Sequence, residues 1–124
     1  MSVSLYYRAT RATPPTPAEA AEVERVLAAR EVSFPHADEE SLFLYDSRRR
    51  AQEEILAGAT KLPSDPHRQP QVIAHVLASL TQLRRALPDS GWHVHMDDLD
   101  IPWEEPHGYT LPGIADPPQR RLDP

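Results

Sequence analysis

The 124-residue sequence contains no cysteine. Disulfides, thiolate zinc sites, iron–sulfur clusters and cysteine nucleophiles are therefore excluded. Glycine is scarce as well, with 4 residues against 14 prolines, so proline sets most breaks in the pattern and no glycine-rich loop is available to hold phosphates. The serines lie in no nucleophile-elbow context. Kinase, dinucleotide-binding and serine hydrolase activities are thus left without a motif.

Positive charge and long apolar runs are also limited. The 13 basic residues, of which 12 are arginine, face 19 acidic ones, for a net charge of -6. This excess of acid argues against nucleic-acid binding and favours a basic partner. No run approaches the roughly 20 apolar residues that span a bilayer, and the N-terminus lacks the pattern of a signal peptide. We therefore expect a cytoplasmic protein without a membrane partner, and the arginine and alanine bias suggests a GC-rich bacterial gene.

The hydrophobic pattern predicts a strand, a helix, two strands, a second helix and a last strand. These elements are expected over residues 2–11, 17–30, 41–46, 53–62, 70–86 and 92–98. A capping box formed by Thr16 and Glu19, with Pro17 at the first helical position, marks the start of the first helix. Residues 47–62 fit either a helix or a hairpin turn followed by a strand, and we favour the strand.

This order is typical of the ferredoxin-like two-layer α+β sandwich (βαββαβ), a four-stranded antiparallel sheet with two helices on one face. Right-handed crossovers would place the first and third strands at the centre, with the fourth beside the first. We expect one domain over residues 1–112. The chain after the last strand is rich in proline and should cross the surface, and residues 113–124 should form a tail that is partly disordered.

The stretch WHVHMDD alternates, which places His93, His95 and Asp97 on one face of the last strand. Tyr6 and Arg8 of the first strand should share that open face. Two imidazoles and a carboxylate suit a divalent metal such as zinc, iron or manganese. Without a metal, either histidine can act as a general base while Arg8 holds an anion and Tyr6 donates a hydrogen bond. The plainer interpretation is a wet polar face or the seam of a homodimer.

A tryptophan surrounded by acidic residues follows this strand. The segment contains Asp97, Asp98, Asp100, Trp103, Glu104 and Glu105. An aromatic anchor rimmed by negative charge is the composition expected where a basic protein docks. In the alternative interpretation, Trp103 folds back over the hydrophobic core. The segment lacks the glycine and glutamate spacing of an EF-hand, so calcium is disfavoured.

Two smaller features complete the list of candidates. Arg48, Arg49 and Arg50 form the basic cluster, which we interpret as a solvated hairpin loop, with a phosphate or acidic partner as the alternative. His75 lies between apolar positions of the second helix and is interpreted as a half-buried packing residue.

The sequence therefore favours a small protein-binding module, of the type of an immunity protein or antitoxin that inhibits a basic partner. The binding residues would be Trp103, Asp98, Asp100, Glu104 and Glu105. The alternative is a small enzyme that uses the open sheet face, either with a divalent metal at His93, His95 and Asp97 or by acid–base chemistry at His93, His95, Arg8 and Tyr6. No other cofactor is expected.

Overall fold

The computed structural model of the chain describes residues 3–34, 36, 38–40, 42–45 and 53–111. The elements in chain order are β1 (Ser4–Thr10), α1 (Pro17–Ser33), β2 (Glu54–Lys61), α2 (Gln69–Ala86), β3 (Gly91–Met96), β4 (Leu99–Asp100), β5 (Trp103–Glu104) and β6 (Gly108–Tyr109). The predicted tail and the arginine cluster at residues 48–50 lie outside the described residues. No described helix is long and apolar enough to cross a membrane.

The two predicted helices are present, and α1 begins where its sequence signal places it. The Thr16 hydroxyl accepts a hydrogen bond from the Glu19 backbone N–H, and the Glu19 carboxylate accepts one from the Thr16 N–H. The described part of the ambiguous stretch, residues 53–62, contains the strand β2, as favoured, and residues 47–52 lie outside the described residues. Its alanine and glutamate favour a helix in isolation, but residues 55–58 are buried in the sheet, and tertiary burial outweighs local propensity.

The main sheet is antiparallel and four-stranded, in the order β2-β1-β3-β4. The first predicted strand pairs with the third and the fourth predicted strands, as expected. These two strands are β2 and β3 of the structure, and β1 lies between them. The ferredoxin-like βαββαβ order, however, is not matched. Within the predicted strand over residues 41–46, the described residues 42–45 contribute a single antiparallel bridge, from Leu44 to Gly58. The fourth strand is β4, which returns from β3 through a tight turn.

The single bridge at Leu44 has a physical reason. Leu44 faces the core, whereas the Phe43 side chain is exposed, so a longer strand here would bury little more apolar surface. Gly58 permits the close approach that does occur, because a methyl group at this position would overlap the carbonyl oxygen of Phe43.

The core lies between the inner face of the sheet and the helices. Leu5, Tyr7 and Val94 are buried on the inner face and pack in one hydrophobic cluster with the buried residues of both helices. The helical members are Val26, Val72, Ile73, Val76, Leu77, Leu80 and Leu83. The opposite face of the sheet leaves Tyr6 and Arg8 exposed. One face of the sheet is thus open.

The chain after β3 corrects the prediction of an irregular surface segment. It forms β4 and then a two-stranded β5–β6 hairpin, with Ile101 and Tyr109 buried in the core. Gly108 lies in the left-handed region (φ 90°) against the Thr81 side chain, whose hydroxyl accepts the Tyr109 N–H. These contacts with α2 hold the hairpin. Proline does not prevent it, because Pro106 lies in the hairpin turn and Pro102 precedes β5, where its carbonyl accepts the Thr110 N–H.

Candidate functional site

The register of the sheet builds the open face in two rows. In the first row, Tyr6 of β1 lies between His95 of β3 and Ala59 of β2. In the second row, Arg8 lies between His93 and Ala57. Because directly opposed residues of antiparallel strands point to the same side, each row presents its side chains on one face. The structure therefore brings the four residues of the acid–base hypothesis together.

Aromatic stacking orders this face. The Tyr6 and His95 rings stack with their centroids 5.2 Å apart and 22° between planes, and the His95 and His93 rings follow at 4.7 Å and 25°. His93 Nε2 lies 2.9 Å from an Asp100 carboxylate oxygen, and His95 Nδ1 lies 2.9 Å from the backbone carbonyl of Asp97. The carboxylate that orients an imidazole is thus Asp100, since Asp97 leaves the strand at the turn (φ 52°).

The predicted metal site is incompletely assembled in this arrangement. Within the ranges that the structure describes, no three histidine, aspartate or glutamate side chains are grouped to hold a metal ion. His93 and His95 are adjacent, but Asp97 offers His95 its backbone oxygen. The hypothesis of a metal site therefore rests on the two adjacent imidazoles.

A depression of about 460 Å³ lies on the open face beside the stacked rings. Its floor includes Ala57 of β2, and Tyr6 and Tyr45 stand at its sides. Arg8 reaches across it to Glu54, with 3.6 Å between guanidinium nitrogen and carboxylate oxygen, and the Arg8 side chain stays 58% exposed. The depression therefore offers aromatic surfaces and one cation that is held only loosely.

A second feature, which we call the acidic edge, comprises Asp98, Leu99, Asp100 and Glu104. All four residues are exposed, and β4 is the outermost strand of the sheet. Leu99 exposes 49% of its surface. Asp100 is paired with His93, whereas Asp98 and Glu104 form no ion pair with a described residue. The edge thus combines an apolar residue with two carboxylates, Asp98 and Glu104, that no described basic side chain pairs with.

Several carboxylates elsewhere are neutralised by arginine. Arg11 donates to Glu19 at 2.7 Å and, together with the Thr16 N–H, lowers the pKa of that carboxyl to about 2. Arg68 likewise contacts Asp38 and Glu39. Such pairing is missing at Asp98 and Glu104, although Arg84 and Arg85 lie in the last turn of α2.

The guanidinium groups of these two arginines lie over the Trp103 ring. The Arg84 guanidinium carbon lies 4.3 Å from the Trp103 ring centroid, and the Arg85 guanidinium carbon lies 5.5 Å from the Trp103 ring centroid. Trp103 also packs edge-on against Tyr109 at 5.1 Å, and its indole N–H donates to Glu105. The structure therefore places Trp103 in the folded-back position. Sequence reasoning missed these arginines, although two basic residues in the last turn of a helix are a recognisable signal.

His75 lies at the interface of the helices, as interpreted from the sequence. It is 9% exposed, its Nε2 is 3.1 Å from the Ser33 hydroxyl oxygen, and its ring meets Phe34 edge-on. These contacts join the end of α1 to α2.

The fold and the site define a small two-layer α+β domain with an open sheet face and an acidic edge. Comparison with protein-family models, curated proteins and solved structures finds no significant match to this chain.

Proposed function

We propose that this chain is a protein-binding module whose acidic edge docks a basic partner, in the manner of an immunity protein or antitoxin that inhibits a basic enzyme. The observation that carries the proposal is the pair of exposed carboxylates at Asp98 and Glu104, which form no ion pair with a described residue, together with the exposed Leu99 that follows Asp98. An apolar centre with a charged rim is the usual composition of a protein interface.

The charge of the chain supports the choice of a basic partner. The net charge of -6 attracts a basic surface over long range, and carboxylates without an internal arginine are free to pair with it. The backbone of the edge strand β4 can also add hydrogen bonds to an extended segment of the partner. In this proposal Trp103 anchors β5, which carries Glu104, through its packing against Arg84 and Tyr109, and Asp100 is oriented by His93.

Two charge-matched double variants test the proposal. Asp98→Asn with Glu104→Gln neutralises the edge, and Glu24→Gln with Glu31→Gln removes the same charge from exposed positions of α1. Partners are captured by cross-linking from lysate with the unaltered protein, identified by mass spectrometry, purified and titrated against all three proteins. We expect the edge variant to weaken binding about tenfold, a change of about 1.4 kcal/mol, and the α1 variant to bind within about twofold of the unaltered protein.

An equal loss of affinity in both double variants would show that net charge alone causes the effect, and it would refute docking at the acidic edge. Unchanged affinity in the edge variant, or failure of the unaltered protein to capture a partner, would refute it as well.

A second function, an enzyme on the open face, is favoured by one observation, the His93–Asp100 pair beside the 460 Å³ depression. A carboxylate that orients an imidazole is the arrangement of a general base, and the same imidazoles are ligands that a divalent metal accepts. Changing His93 and His95 together to alanine should then abolish turnover or remove a stoichiometric metal found by elemental analysis. Neither effect is expected if the chain only binds a protein.

A further inference from the structure

We propose that the open sheet face is the seam of a symmetric homodimer, in which two copies pack these faces together to form a four-layer α/β/β/α sandwich. The face exposes 40% of Tyr6 and 55% of Phe43, whereas the other face of the same sheet is filled by the core. Aromatic residues are enriched at interfaces because they bury a large area at low entropic cost.

The two rows of the face are complementary under a twofold rotation. An axis in the plane of the seam, perpendicular to β1 at the level of Tyr7, exchanges the row of Tyr6 with the row of Arg8. Arg8 of each copy then lies above Tyr6 of the other copy. Because the Tyr6 ring stacks against His95 of the adjacent strand, its edge and hydroxyl face the seam, so the Arg8 guanidinium can donate to the Tyr6 hydroxyl, and the symmetry forms this contact twice.

The same rotation matches charges at the two ends of β2. Lys61, opposite Ser4 at one end of the rows, comes to face Glu54 of the second copy, which lies opposite Thr10 at the other end. Lys61 is exposed and forms no ion pair with a described residue, so it is available to this carboxylate. Arg8 of the same chain already contacts the Glu54 carboxylate at 3.6 Å, and the Glu54 side chain is 13% exposed, so Lys61 of the second copy would add a second cation beside each of these carboxylates.

Small residues on β2 allow the sheets to approach. Ala59 faces Ala57 of the second copy. Within each chain Phe43 lies opposite Ala59 and Tyr45 lies opposite Ala57, so Phe43 of one copy faces Tyr45 of the other. A twofold axis along β1 would instead place Arg8 over Arg8. Charge thus selects the perpendicular axis.

The size of the face determines the strength to expect. Strand spacing and rise give a sheet of about 20 Å by 20 Å, or about 400 Å² per copy, below the roughly 800 Å² that each partner buries in a standard interface. We therefore expect a reversible dimer with a dissociation constant in the micromolar range.

Sedimentation velocity of the full chain, from about 1 μM to about 500 μM, measures this equilibrium. Tyr6→Glu should raise the dissociation constant more than tenfold, whereas Val32→Glu, at a position that is 87% exposed on α1, should leave it unchanged. Lys61→Glu alone should weaken the dimer. Adding Glu54→Lys to Lys61→Glu should restore it to within about threefold, because the exchanged charges again meet across the seam.

Circular dichroism of each variant separates loss of the dimer from loss of the fold. A monomer at every concentration of the unaltered protein would overturn the proposal and leave the face to a different protein. If the dimer survives Tyr6→Glu, this seam is overturned. It is also overturned if the Lys61→Glu, Glu54→Lys double variant is folded but does not regain association. Asp98 and Glu104 lie outside the two rows of the seam, so Asp98→Asn with Glu104→Gln should leave the dimer intact, and the two proposals fail independently.

Discussion

The buried phenol of Tyr7 gives the sharpest test of the packing described above. Tyr7 is 2% exposed, its oxygen lies 3.0 Å from the Thr60 hydroxyl, and it accepts the Phe43 N–H at 3.0 Å. Burial disfavours the phenolate and raises the pKa of Tyr7 from 10.0 to about 12, although the two hydrogen bonds oppose the shift. The unfolded chain therefore loses this proton before the folded chain does.

The sign and size of the effect follow from this difference. The stabilisation is fully present below pH 10 and is lost as the pH rises towards 12, to a total of about 3 kcal/mol, of which about 2 kcal/mol is gone by about pH 11.5. Tyr7→Phe should be less stable than the unaltered protein at about pH 8 by about 2 kcal/mol, because it leaves the Phe43 N–H without its acceptor. The Tyr7→Phe variant has no phenol to ionise, so it does not lose this stabilisation at alkaline pH. The free energies of unfolding of the two proteins should therefore converge by about pH 11.5.

Urea unfolding followed by tryptophan fluorescence, repeated between about pH 8 and pH 11.5, measures both curves. Other groups that titrate in this range are common to the two proteins and cancel in the difference. Parallel curves would refute the buried, protonated state of Tyr7. A variant as stable as the unaltered protein at about pH 8 would refute the hydrogen bond to residue 43.

Three further predictions concern other contacts. Gly58→Ala should destabilise the fold by about 2 kcal/mol by urea unfolding, since its methyl group would overlap the Phe43 carbonyl and lie 2.8 Å from the Tyr7 ring; an unchanged midpoint would contradict this close approach. Glu19→Gln should lose stability near neutral pH, and its deficit should vanish as the pH falls from 4.5 towards 2, because protonating Glu19 breaks the same pair with Arg11; a deficit independent of pH would contradict it. Trp103→Ala should lower the free energy of unfolding by roughly 2 kcal/mol, whereas an exposed anchor would leave it unchanged.

The elements with strong local signals could be predicted from the sequence. The capping box of Thr16 and Glu19 gave the start of α1, and apolar spacing gave α2. The ferredoxin-like order could not be predicted correctly, because residues 41–46 have the composition of a strand whether they pair along their length or at Leu44 alone. That distinction depends on neighbours distant in the sequence, as do β4 and the β5–β6 hairpin.

The candidate site shows the same division between local and distant information. Strand alternation placed His93 and His95 on one face, and the pairing of β1 with β3 brought Tyr6 and Arg8 to them. The partner of His93 was missed, since the turn after Met96 takes Asp97 out of the alternation and returns Asp100 to the imidazole. A reversal of the chain at this turn was not visible in the alternation, which continues through Asp97.

The two proposed surfaces have a geometric relation that affects partner binding. A twofold axis perpendicular to β1 keeps the β4 strands of both copies on the same flank of the dimer, and strand rise separates their Asp98 turns by about 25 Å. This separation exceeds the screening length of about 8 Å at physiological salt, so the two acidic edges repel each other only weakly. Both edges can therefore face one extended basic surface, and simultaneous contact raises the effective concentration of the second. A weak dimer can in this way strengthen binding without adding a contact to either edge.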